Sequence, residues 1–203
     1  MRRYAFIDVQ NIESTTEQSC GFAIDLKKLY DWLHDQKWSC DKIFFYTGIE
    51  IGNQEKANEF DSLSKLPCCM VRSKAIQAYK KPDKKVSVNC IKCGESNIAV
   101  VDMGYRKKAN CDVDLTMDIL ENATTDPEVE LLIFTGDGDF EPVIKKAASI
   151  VKKIYIVSNS KLFGKAGLMQ GHFSTKLHNL LDEKKIFFID IDSWKYKIKK
   201  DLS

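Results

Sequence analysis

With 203 residues, 44% hydrophobic and 30% charged, the chain has the makings of one globular domain with room for a small insertion. A net charge of +2 excludes a protein whose whole surface coats polyanions, so any nucleic-acid contact must be a local patch. No apolar run approaches a membrane span, and Arg2-Arg3 leads into too short an apolar stretch for a signal-peptide core.

Apolar runs and helical spacings alternate along the chain. Residues 4–7 (YAFI) form a short buried strand that stops at Asp8. Residues 24–38 carry Leu26, Leu29, Tyr30 and Leu33 at helical spacing, and 43–46 (IFFY) form a second strand. A helix over 57–66 ends at Pro67, and another starts near Asp112 and runs through 115–120. Then come a strand over 131–135, a helix over 142–151, a strand over 154–157, a helix over 175–181 and a last strand over 186–191. This alternation predicts an α/β domain with a mainly parallel sheet and helices on both faces.

Residues 68–111 break the rhythm. A basic turn (KKPDKK, 80–85) precedes valines alternating with polar residues, a Cys-x-x-Cys-Gly and a further apolar run. The pattern predicts a β-hairpin or small ribbon inserted in a single domain over 1–203. The basic run at 195–200 reads as the end of a helix.

Carboxylates gather where this fold binds ligands, outside the carboxyl ends of parallel strands. Asp8 follows the first strand, and Asp137 and Asp139 follow the LLIF strand. Asp112, Asp114 and Asp118 open the central helix, Asp112 as a potential cap and the other two on one face. Taken singly, each is an ordinary turn former or cap. Together they repel unless cations neutralise them, and hard oxygen donors suit Mg²⁺ or Mn²⁺, which activate water and stabilise a leaving oxygen in phosphodiester cleavage. A calcium loop starting at Asp137 fails, because Pro142 and Ala148 stand where Gly and Glu are required. Asp190-Ile191-Asp192 has the local form of an aspartyl-phosphate phosphatase motif, but little chain follows it, so it reads as a strand end.

FIDVQN (6–11), NCDVDLTMDIL (110–120) and LLIFTGDGDFEPVIKKA (131–147) together resemble the three signature blocks of NYN domains, within the PIN-like nuclease superfamily. The resemblance runs from about residue 3 to 191, apart from the cysteine-bearing insertion. It implies a three-layer α/β/α, Rossmann-like fold and a metal-dependent endoribonuclease acting on RNA, single-stranded by expectation, with Mg²⁺ or Mn²⁺ as cofactor. It also implies catalytic roles for Asp8, Asp112, Asp118, Asp137 and Asp139, with Asp8, Asp112, Asp137 and Asp139 as metal ligands. Asn11 and Thr135 match positions that orient an acid or the substrate. Two departures are Val9-Gln10 after the first Asp, and Asp114 where many members have a small apolar residue. Binding without catalysis and hydrolysis of a small phosphorylated molecule remain alternatives to the nuclease.

The 7 cysteines are odd in number and point to a reducing, cytoplasmic setting rather than a disulfide framework. Cys90-Ile91-Lys92-Cys93-Gly94 has the form of a zinc knuckle, with Cys68, Cys69 and Cys111 as candidates to complete a structural zinc site; the alternative is a pair of idle thiols. Lys107 and Lys108, with Arg106 and Tyr105, would grip phosphates beside the acidic centre, as would Lys80, Lys81, Lys84 and Lys85 beside Tyr79; the alternative is a solvated loop. The 3 histidines are read as structural. A homodimer is open, and no membrane partner is expected.

Overall fold

The computed structural model describes residues 1–35, 37–109, 111–164, 170–182 and 184–201. Six parallel strands form the central sheet: β1 (Arg3–Asp8), β2 (Lys42–Ile49), β3 (Cys69–Ala75), β8 (Glu130–Phe134), β9 (Lys153–Ser158) and β12 (Ile186–Asp190). Their order across the sheet is β12-β9-β8-β1-β2-β3. The chain starts in the middle, winds outward to β3, then returns to β8 and winds the other way. This is the doubly wound arrangement, and its switch point lies between β1 and β8, where loops leave in opposite directions and open a crevice.

The sequence shows why this sheet is buried on both sides. Strands such as IFFY and LLIF are continuous apolar runs, as parallel strands covered by helices must be. Even-numbered Phe6, Phe44 and Tyr46 pack with Leu131 and Ile133 under α4 (Asp112–Thr125), α5 (Glu141–Ala148) and α6 (Thr175–His178). Ile7, Ile43, Phe45, Leu132 and Phe134 face α1 (Val9–Gln18), α2 (Leu26–His34), α3 (Gln54–Ser64) and α7 (Lys195–Ile198). Phe6, Phe45 and Phe134 are fully buried, each contributing about 2 kcal/mol or more through loss of apolar surface from water.

Sequence periodicity alone gives no sign of α1. Its Val, Ile and paired Thr residues are modest helix formers, yet Asp8 caps it by accepting from Asn11 N–H at 3.2 Å. Thr15 and Thr16 are buried, and the Thr15 hydroxyl donates to the Asn11 carbonyl at 2.8 Å.

The expected insertion over 68–111 starts later than the sequence suggests. Residues 69–75 are β3, the edge strand of the main sheet. What departs from the body is an arm of two antiparallel ribbons. The first pairs β4 (Gln77–Lys80) with β7 (Tyr105–Lys108); the second pairs β5 (Lys84–Asn89) with β6 (Ser96–Val101). All of β5 and β6 is solvent-exposed, so the outer ribbon stands clear of the body. A small pair, β10 (Leu162–Phe163) with β11 (Gln170–Gly171), precedes α6. Among the described residues, no helix is long and apolar enough to cross a membrane.

Candidate active site

The two edges of the sheet treat acids differently. At the amino edge, buried Asp126 accepts from Arg2 at 2.7 Å and from Tyr4 at 3.1 Å, and buried Glu130 pairs with Arg3 at 2.9 Å. Those acids are compensated. Asp8, at the carboxyl edge of β1, is half-buried and has other carboxylates for company. Burial pushes its pKa up to about 6, while backbone bonds from Asn11 and Gln10 pull it down and the charges of Asp112 and Asp137 push it further up. The acid-rich crevice is therefore at the switch point, where a ligand is expected.

Local structure delivers each residue there. Asp8 ends β1 on the face it shares with Phe6, the α4 side. Asp112 is the first residue of α4; Cys111, not Asp112, occupies the cap position. Asp137 caps a short 3₁₀ turn by accepting from Asp139 N–H at 2.9 Å, which fixes its carboxylate. Asp137 N–H in turn donates to Thr135 Oγ1 at 3.2 Å. Across the switch point, Asn11 Oδ1 accepts from Gly136 N–H at 2.9 Å and ties α1 to the turn after β8.

Beside this centre lies a cleft of about 370 Å³ lined by Asn11, Asp137, Asp139, His172, Ser174 and Lys176. His172 stacks on Phe163, and burial lowers its pKa. Ser174 N–H donates to the Gly136 carbonyl at 2.9 Å, which docks the chain before α6 onto the aspartate turn. Sequence reasoning passes over His172, Ser174 and Lys176. The one available signal is Ser174 as the cap of a short helix, and nothing in the pattern says that this cap lies against Asp137.

Several expected roles change. Thr135 is fully buried, so it positions Asp137 rather than touching substrate. Asn11 lines the cleft while holding both Asp8 and Gly136 in place. Asp139 lies exposed at the rim. Lys107 and Lys108 lie on β7, and their side chains are outside the described residues. Gly136 and Gly138 do not take left-handed backbone; residues 172–176 pack closely against both.

Asp118 engages two partners of its own. Six residues beyond Asp112, it lies about 9 Å further down the helix axis. Its Oδ2 accepts from the Tyr46 hydroxyl at 2.8 Å and from Arg72 Nε at 3.2 Å. Burial, then this bond, drives the Tyr46 pKa far up. Asp114 pairs with Lys74 at 2.5 Å, so α4 and β3 are clamped by two ion pairs. Asp118→Ala strands a buried hydroxyl and is expected to cost about 2–3 kcal/mol in urea unfolding, whereas Asp118→Asn keeps an acceptor and costs about 1 kcal/mol. Equal stabilities for the two variants would contradict this bracing role.

Asp8, Asp112 and Asp137 are the residues that could hold a divalent cation. They offer hard carboxylate oxygens, and a cation would relieve the repulsion acting on Asp8. Among the described residues no three His, Cys, Asp or Glu side chains already form a metal-ligand cluster. Closure on an ion therefore requires side-chain rotation, which the exposure of Asp112 permits.

At the arm tip, the Cys93 and Lys92 N–H groups and the Cys93 thiol bond to the Cys90 sulfur and lower its pKa. The turn closes with Gly94 N–H to the Cys90 carbonyl at 2.8 Å, and Gly94 sits at φ +73. The expected completion by Cys68, Cys69 or Cys111 fails. Cys69 is buried in the body, the Cys111 sulfur is buried against the Thr47 carbonyl, and Cys68 lies at the foot of β3.

No curated protein matches the chain. A crystal structure of a protein of unknown function from Vibrio parahaemolyticus is similar over 94% of each chain with a TM-score of 0.56, and at 15% identity that likeness is one of fold. The NYN domain family matches residues 3–167, which include Asp8, Asp112 and Asp137. The chain belongs to the NYN domain family of PIN-like nucleases.

Proposed function

We propose that the chain is a metal-dependent endoribonuclease that cleaves single-stranded RNA, with Asp8, Asp112 and Asp137 holding Mg²⁺ or Mn²⁺. The carrying observation is that the charges acting on half-buried Asp8 at the switch point are two further carboxylates. When bound, a divalent ion would polarise the scissile phosphate and acidify the attacking water. The chain's own residues do the rest. Asn11 and Thr135 fix the loops that carry Asp8 and Asp137, so both acids are presented with little freedom left to lose. Asp139 stands at the rim, where it can reach water beside the centre. Lys176 supplies a cation to the cleft and would bind a phosphate flanking the scissile bond.

The test is cleavage of single-stranded RNA, structured RNA and DNA with Mn²⁺, Mg²⁺ or a chelator. Internal cuts in single-stranded RNA are expected with metal and none with chelator. Asp112→Asn should slow cutting at least about a hundredfold, since metal catalysis is worth several kcal/mol. RNA left intact by folded protein with both metals would sink the proposal.

A further inference from the structure

The arm tip carries half of a metal site. Tetrahedral zinc needs four ligands, and a Cys-x-x-Cys turn supplies two. The turn has the form such a half-site requires: backbone N–H groups from Lys92 and Cys93 directed at the Cys90 sulfur, and left-handed Gly94 bringing the chain back into β6. The exposed outer ribbon lifts this turn about 20 Å beyond the start of β5, taking six residues at strand rise.

Among the described residues, none stands ready to finish the site. Cys20, Cys40, Cys69 and Cys111 are buried in the body, and Cys68 is at the foot of β3. His34 stacks on Tyr30 and His172 on Phe163, while His178 ends α6. Every cysteine and histidine outside the tip therefore belongs to the body, and no described residue adds a third ligand beside Cys90 and Cys93.

The ribbon also leaves apolar surface uncovered. Val86, Val88 and Val101 share one of its faces, Ile98 and Val100 the other, and Ile91 at the tip is fully exposed. An isolated two-stranded ribbon is marginal in water, and clustered exposed apolar side chains mark a contact surface.

We propose that Cys90 and Cys93 bind zinc together with the same two cysteines of a second copy of this chain, joining two arms tip to tip. The thiols release their protons to solvent as the zinc–sulfur bonds form. The joined ribbons then cover part of the apolar strip around Ile91 and Val88. This role is independent of the nuclease reading, because the tip lies away from the Asp8 centre.

The full chain, kept in a phosphine reductant to exclude disulfides, is titrated with zinc alone and followed by light scattering and metal analysis. The expected result is about one zinc per two chains, with a dimer that falls to monomer on strong chelation. Substituted Co²⁺ should show the visible absorption of a tetrahedral thiolate site. Cys90→Ser/Cys93→Ser lies on an exposed turn; it should keep the wild-type circular dichroism and stay monomeric with zinc present. One zinc per monomeric chain, no tight zinc, or a dimer that survives both chelation and the double substitution would each overturn the proposal.

Discussion

Asp8→Asn is expected to slow RNA cleavage at least about a hundredfold while making the metal-free protein more stable. The amide keeps an oxygen to accept from Asn11 N–H, so α1 retains its cap. What the substitution removes is a charge held against burial and against Asp112 and Asp137. The Asp8 pKa is pushed from an ordinary 3.8 up to about 6. For an acid with a raised folded pKa, the folded state binds the proton more tightly than the unfolded chain does. Stability therefore rises as pH falls from about 6 toward 3.8, and the penalty is fully present above about 6. Above that pH the gain from Asp8→Asn should be on the order of 2 kcal/mol by urea unfolding, shrinking to nothing near pH 4. Proton and divalent cation compete for the same carboxylate, so Mn²⁺ should raise the melting temperature of the wild type more at pH 7.5 than at pH 5.5. A variant that is less stable than wild type at pH 7.5 would contradict an Asp8 charge held at a cost by burial and its neighbouring carboxylates.

Gly136→Ala is expected to cost about 3 kcal/mol and most of the activity, for a steric reason alone. A Cβ at Gly136 would overlap the main-chain carbonyl of His172 and crowd the Ser158 hydroxyl. The His172 carbonyl is backbone, and the next residues are anchored by Ser174 N–H to the Gly136 carbonyl. Relief requires moving residues 172–174 away from the aspartate turn, which breaks that bond and opens the cleft beside Asp137. Gly138→Ala differs instructively, because its Cβ would meet the side chains of Ser174 and Lys176 rather than backbone. The Ser174 hydroxyl can turn away by giving up its cap on α6 and the Lys176 chain can bend, so a smaller loss of about 1–2 kcal/mol is expected. Thermal and urea unfolding of the two variants side by side will separate the cases; a Gly136→Ala protein as stable as Gly138→Ala would contradict the close packing of residues 172–174.

Much of the fold was legible because parallel strands buried on both faces must be continuous apolar runs. YAFI, IFFY and LLIF announced β1, β2 and β8, and the acids after the first and third of them announced the carboxyl edge. Helix α1 stayed hidden because its sequence barely favours a helix, and the Asp8 cap and burial of Thr15 and Thr16 support it instead. Residues 69–75 were equally ambiguous. An edge strand with an exposed half, RSKA, lacks the apolar signature of its neighbours.

Within the site, sequence by itself determined which chemistry is present: carboxylates at strand ends and at the start of α4, and a pair of thiols on a tight turn. Residue type and position relative to an element are local properties, and a linear pattern carries them. Tertiary structure alone decided which of these groups meet. It drew Asp8, Asp112 and Asp137 to one switch point, gave Asp118 to Tyr46 and Arg72, and brought Ser174 and Lys176 against Asp137 from far along the chain. It also set Cys90 and Cys93 beyond the reach of the body's other thiols. Such pairings depend on strand order and helix depth, which follow from the packing of the whole core and leave no mark in the spacing of the residues involved.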